Sequence, residues 1–201
     1  MYPAMTALST PRHPLVEAAL ADTRAWCAGR VIDDRPSLVH AVRVAATLDQ
    51  HVPSAAPDLI AAALLHDAPE FAPPGTALDA VLTARYGPDV PRIVHALHVE
   101  HVALDQPDPP IRVDDHAVLV TSTADKIVAL TSLLRRARAS GNPDGFFTVR
   151  PALLRLLPHF HAYHSAGSGR VPVSMSTHLD AVLTTLYRAT AGARQARRIT
   201  V

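Results

Sequence analysis

Four polar side chains stand where apolar neighbours would be the default. His40 lies within SLVHAVRVA, His66 and Asp67 close the run AAALLHDAPE, and Asp125 lies within TSTADKIVALTSLL. An unpartnered polar group in apolar surroundings costs about 1–3 kcal/mol. A His-Asp dipeptide alone is background, since 12 His and 15 Asp in 201 residues produce about one such pair by chance. The feature to explain is three embedded positions on three separate segments. A shared divalent cation explains them together. Two imidazoles and two carboxylates form a mixed nitrogen/oxygen donor set that suits Mn²⁺, Fe²⁺, Co²⁺ or Zn²⁺. Such an ion lowers the pKa of a bound water and polarises a phosphoryl oxygen. For any one of these residues alone, the alternative is a hydrogen-bonded core side chain or a helix cap.

Glu70 follows His66 by four residues and Asp67 by three. That spacing keeps it on their face if the helical turn persists past Pro69. A carboxylate one turn from an activated water is a credible general base; the alternative is a solvated helix end. His95, His98 and His101 step by three, with Glu100 among them, so this stripe could line a cleft, hold a second ion or form a wet face. His159, His161 and His164 gather near a helix C-terminus, where cations suit the dipole.

Positioning these groups requires helices. Apolar periodicity and punctuation by 18 prolines predict helices over 13–29, 37–51, 58–67, 77–86 (capped by Thr76), 89–104, 112–139, 144–165 and 175–192, with an Arg-rich tail that frays after Gly192. No segment alternates as a strand does, so the expected fold is all-α, a single bundle of about eight helices. The expected organisation is an N-terminal extension over 1–12, one domain over 13–192 and a basic tail over 193–201.

The bulk numbers exclude several classes. A net charge of +1 implies neither nucleic-acid nor membrane binding. No run approaches the roughly 20 apolar residues of a membrane span, and no signal peptide is evident. The one cysteine, Cys27, forms no internal disulfide and reads as a packed apolar thiol. A cytoplasmic protein is expected, with a small phosphorylated partner and the homo-oligomeric state left open. Phosphate-loop, dinucleotide-binding and nucleophile-elbow motifs are missing.

The order His40, His66-Asp67, Asp125 resembles the H…HD…D pattern of the HD-domain metal-dependent phosphohydrolases. Within them the chain is most similar to the guanosine polyphosphate 3′-pyrophosphohydrolase domains of RelA/SpoT homologues and small alarmone hydrolases. The resemblance rests on Pro36 to His40, on AAALLHDAPE, on Tyr86-Gly87-Pro88-Asp89-Val90 and on Ala124-Asp125-Lys126, with steps of 26 and 59 residues between His40, His66 and Asp125. It implies an all-helical fold with His40, His66, Asp67 and Asp125 around one ion, most simply Mn²⁺. It makes Glu70, with Asp67, catalytic. Arg30, Arg43 and Lys126 are the expected substrate contacts, each with a surface or structural ion pair as its alternative. Two positions depart from the alarmone-hydrolase pattern: Phe71 follows Glu70 where the family has an aspartate, and Ala129 stands where it has an asparagine. Both missing groups belong to the alarmone-cleaving site. The expected activity is therefore hydrolysis of a nucleotide-type phosphate or pyrophosphate ester, with guanosine polyphosphate as the narrower version. The alternative is a degenerate HD protein that binds a nucleotide or partner without turnover.

Overall fold

The computed structural model describes residues 8, 11–32 and 35–199; most of the 1–12 extension lies outside them. Eleven helices are present among the described residues: α1 (Pro14–Trp26), α2 (Ser37–His51), α3 (Pro57–Leu65), α4 (Ala68–Phe71), α5 (Leu78–Tyr86), α6 (Asp89–Ala103), α7 (His116–Ala139), α8 (Pro143–Thr148), α9 (Pro151–Gly167), α10 (Val173–Ala189) and α11 (Ala191–Ile199). The all-α expectation holds. The exception is an antiparallel ladder, Val31↔Pro36 and Ile32↔Arg35, which joins α1 to α2. Two paired residues per strand are too few to show as alternation in the sequence.

Prolines account for most boundaries, and for the largest differences from expectation. Pro57 opens α3, where its missing N–H costs nothing. Pro69 was expected to end that helix. Instead the chain leaves helical geometry at Asp67 and restarts, with Pro69 inside the first turn of α4. Pro151 likewise splits the expected helix over 144–165 into α8 and α9, because the residue before a proline is pushed out of the α region. The long helix starts at His116 rather than 112, since Asp115 caps it by accepting from the Val118 N–H. Thr76 does not cap α5; its hydroxyl closes a turn onto the Pro73 carbonyl. Beyond Gly192 the backbone stays helical to Ile199.

Two helices lie at the centre of a core to which most of the others contribute. Ile60 to Leu65 of α3 are all buried, and the three alanines among them let α1, α2, α6 and α7 approach closely. In α7 every residue from Val118 to Val128 is buried, polar ones included. A helix buried all round reads as apolar all round. Among the described residues α7 alone has the length and composition to cross a membrane, contrary to the expectation that no run would. Its burial against α2, α6, α8 and α10 explains that apolarity. α10 covers one side of α7, against α9 as well, while α11 packs on α8.

Candidate functional site

α2 carries His40 on its face towards α7, the C-terminus of α3 presents His66, the break before α4 presents Asp67, and α7 presents Asp125. All four meet. His40 Nε2 lies 3.0 Å from Asp125 Oδ1 and 3.2 Å from His66 Nε2. His66 Nε2 lies 3.3 Å from Asp67 Oδ1 and 3.8 Å from Asp125 Oδ1. The side chain of His66 is fully buried and those of His40 and Asp125 are 16% and 10% exposed, so the cluster is largely buried but reaches solvent at its edge.

The fit to a cation rests on three features. Donor atoms bound at about 2.1 Å to one ion stand roughly 3.0–3.4 Å apart, close to most of the separations seen. Asp67 Oδ2 is buried and lacks any hydrogen-bond partner, and such an orphaned carboxylate oxygen is costly unless something charged meets it. His66 donates its Nδ1–H to the Ala63 carbonyl at 2.8 Å. A carbonyl can only accept, so Nε2 keeps its lone pair facing the cluster, as metal-ligating imidazoles are usually oriented. The ligand atoms of His40, His66 and Asp67 all lie within 4.8 Å of one another, and the group could hold a metal ion.

Glu70 is on the same side. The break at Asp67 lets the Glu70 N–H donate to the Asp67 carbonyl at 3.0 Å, which folds α4 back over the cluster. Its exposed carboxylate lies within 4.8 Å of ligand atoms of Asp67 and His101. His101 is the member that the sequence left undecided. Its Nε2 donates to Asp125 Oδ2 at 3.0 Å, and its ring stands 6.0 Å from that of His66, nearly edge-on. The signal was the His95/His98/His101 stripe, but a three-residue step cannot say which member faces inward; His95 is exposed.

The electrostatics follow from this geometry. Burial alone would raise the Asp125 carboxyl, yet hydrogen bonds from His101 and His40 hold it well below the usual carboxylate range. Burial alone would lower His40 and His101; the hydrogen bond to Asp125, then its charge, raises both above the ordinary histidine value.

The expected substrate contacts fare differently. Lys126 does not face the cluster. Its ammonium is buried, donates to Glu100 and, at 2.8 Å, to Ser122 Oγ, and sits 4.3 Å above the Tyr163 ring centroid. Burial would lower it, but Glu100 pushes it up to about 12. One residue along a helix turns a side chain by about 100°, which sends Lys126 to Glu100 while Asp125 reaches His40 and His101. Arg30 is exposed at the turn after α1; its backbone is engaged, the N–H by the Cys27 carbonyl and the carbonyl by Ser37. Arg43 borders a groove between α2 and α7, one turn beyond His40. Phe71 packs with Trp26, Cys27 and Leu65 around a small void, and Ala129 is exposed, so neither brings a polar group to the cluster. Cys27 is buried and unpaired, and burial pushes its thiol up. Of the second histidine group, His164 bonds Ser176 Oγ at 3.0 Å and His161 packs on Tyr187.

Residues 18–105 match a family model described as HD domain. The match supports placing the chain in the HD-domain superfamily. It spans His40, His66, Asp67, Glu70 and His101 and ends before Asp125. No curated protein matches the chain.

Proposed function

We propose that the chain is a metal-dependent phosphohydrolase that cleaves a nucleotide-type phosphate or pyrophosphate ester. The observation that carries this is the convergence of His40, His66, Asp67 and Asp125 around the unpartnered Oδ2 of Asp67. HD domains are in general hydrolases, and the family match over 18–105 adds to that. His40, His66, Asp67 and Asp125 would hold one divalent ion, with Mn²⁺ favoured by the mixed donor set and Fe²⁺, Co²⁺ or Zn²⁺ compatible with it. Such an ion supplies Lewis acidity: it polarises a phosphoryl oxygen and makes a water more acidic.

The chain's own residues supply the rest. The Ala63 carbonyl fixes the His66 tautomer. His101 keeps a proton at Nε2 and uses it to orient Asp125. Glu70 is the one carboxylate of the group that is exposed, so it is free to accept a proton from water as that water attacks phosphorus. The guanosine polyphosphate pyrophosphohydrolase version has less support, because Phe71 and Ala129 leave two polar positions of that site empty of function. Those same two residues favour the second reading, a degenerate protein that binds without turnover.

Phosphate or pyrophosphate release from a panel of nucleoside mono-, di- and polyphosphates with added Mn²⁺ separates the two. At least one substrate should turn over. Glu70→Gln should lower kcat by about 10²–10⁴ with metal content unchanged. Binding without release across the whole panel would leave the degenerate protein standing.

A further inference from the structure

A groove of about 240 Å³ lies between α2, α7 and α10. Its walls are two helical faces. Arg43, Ala46, Thr47 and Gln50 on α2, and Val128, Thr131, Ser132 and Arg135 on α7, each step by three, four and seven residues, the spacing of one face. His40 and Asp125 stand three residues before the first member of each set. The groove therefore begins one turn, about 5 Å, from the candidate metal ligands, but shares no residue with them.

Its chemistry is that of an anion site. No Asp or Glu is among its lining residues, while Arg43, Arg135 and His178 are. Neither guanidinium has an ion-pair or hydrogen-bond partner among the described residues. At the α10 end, a relay holds His178. His51 Nδ1 lies 3.0 Å from Ser174 Oγ, and His51 Nε2 lies 3.0 Å from His178 Nδ1. That relay engages one ring nitrogen of His178 and leaves the other for the groove. Sites that enclose a drug-sized ligand run to roughly 300–1,000 Å³, so this volume suits a sugar-phosphate-sized piece.

We propose that the groove binds the phosphate group of a small phosphorylated molecule, gripped by Arg43 and Arg135, with His178 as a polar contact. Guanidinium suits this because its planar fork meets phosphate oxygens in pairs. The phosphate could come from the remote end of the substrate or from a separate phosphorylated ligand.

Titration calorimetry with D-ribose 5-phosphate tests the site, using the full chain in EDTA so that the His/Asp cluster offers no cation. The wild type should bind with a Kd below about 1 mM. Arg43→Gln and Arg135→Gln should each weaken binding at least about tenfold, Glu70→Gln should leave it unchanged, and neutral ribose should not bind. An Arg43→Gln/Arg135→Gln double variant that binds as the wild type does, or a wild type that binds no ribose 5-phosphate, overturns the proposal. The source is read from turnover. A KM raised at least about tenfold in Arg135→Gln at constant kcat assigns the phosphate to the substrate. An unchanged KM alongside lost ribose 5-phosphate binding assigns it to a second ligand. The binding arm needs no turnover, so it stands or falls apart from the hydrolase function.

Discussion

Asp125 and Lys126 are chain neighbours, 7% and 5% exposed, yet they belong to two different kinds of buried polar region. Lys126 faces α6. Its ammonium is matched by Glu100, Ser122 Oγ and the Tyr163 ring, and Tyr163 in turn bonds Ser122 and Thr123. Every charge there has an opposite charge, and the network closes on itself. Asp125 lies with the Asp67 carboxylate among three imidazoles, His40 from α2, His66 from the end of α3 and His101 from α6, with one buried oxygen of Asp67 unmatched. A satisfied network of this kind holds a fold together, whereas an excess of donor atoms converging on one point needs something from outside the chain. Exposure alone does not separate the two regions, but the tally of partners does.

Substitutions in the two regions should act on different properties, Asp125 on ion binding and Lys126 on stability. The largest effect is expected from Asp125→Ala. Elemental analysis should find the divalent ion lost, and hydrolysis should fall by at least about 10³-fold, roughly 4 kcal/mol of barrier. The thermal midpoint of the metal-free protein should move less than in any Lys126 variant. Full activity with a bound ion in Asp125→Ala would remove the site. Lys126→Met should do the reverse. It strands the Glu100 carboxylate in the interior at a cost of about 3–5 kcal/mol in urea unfolding, while ion binding per folded chain persists. If Lys126→Met is instead as stable as the wild type, the α6–α7 network is not structural.

The smallest effect concerns a third polar set, the Ser174–His51–His178 relay. Burial, and then the His178 imidazole, push His51 below its ordinary value of 6.5. A histidine lowered on folding binds fewer protons in the native state than in the unfolded chain. Its contribution is complete above the ordinary value and is lost as pH falls through 6.5 towards the folded value. Urea midpoints measured from pH 7.5 to 5 should therefore drop less steeply in His51→Asn than in the wild type. Equal slopes would show that His51 titrates no differently in the two states.

Much of the fold and most of the cluster were legible along the chain. The 3.6-residue period placed α2, α3 and α6 within a residue or two. His40, His66, Asp67 and Asp125 stood out because each interrupts an apolar stretch. The errors were also local. Pro69 was taken as a stop because a proline ends a helix it sits inside, but at the first turn it begins one, and only the break at Asp67 decides which. His101 stayed one candidate among three because helix rotation about its own axis is fixed by packing on α3 and α7, not by spacing. For Lys126 adjacency to Asp125 leaves a pocket edge and a structural ion pair both open, because adjacent helical residues point about 100° apart; the position of Glu100 on α6 selects the ion pair.

By itself the chain determined which residue types could bind a cation and which segments would be helical, because both follow from side-chain chemistry and short-range periodicity. Which of those groups meet was decided by tertiary packing alone. His40 and Asp125 are 85 positions apart, and they face each other only because buried alanines in α3 let α2 and α7 close over it. The orphaned oxygen of Asp67, the pairing of Lys126 with Glu100 and the groove beside Arg43 all arise from distances between helices, which no one-dimensional pattern encodes.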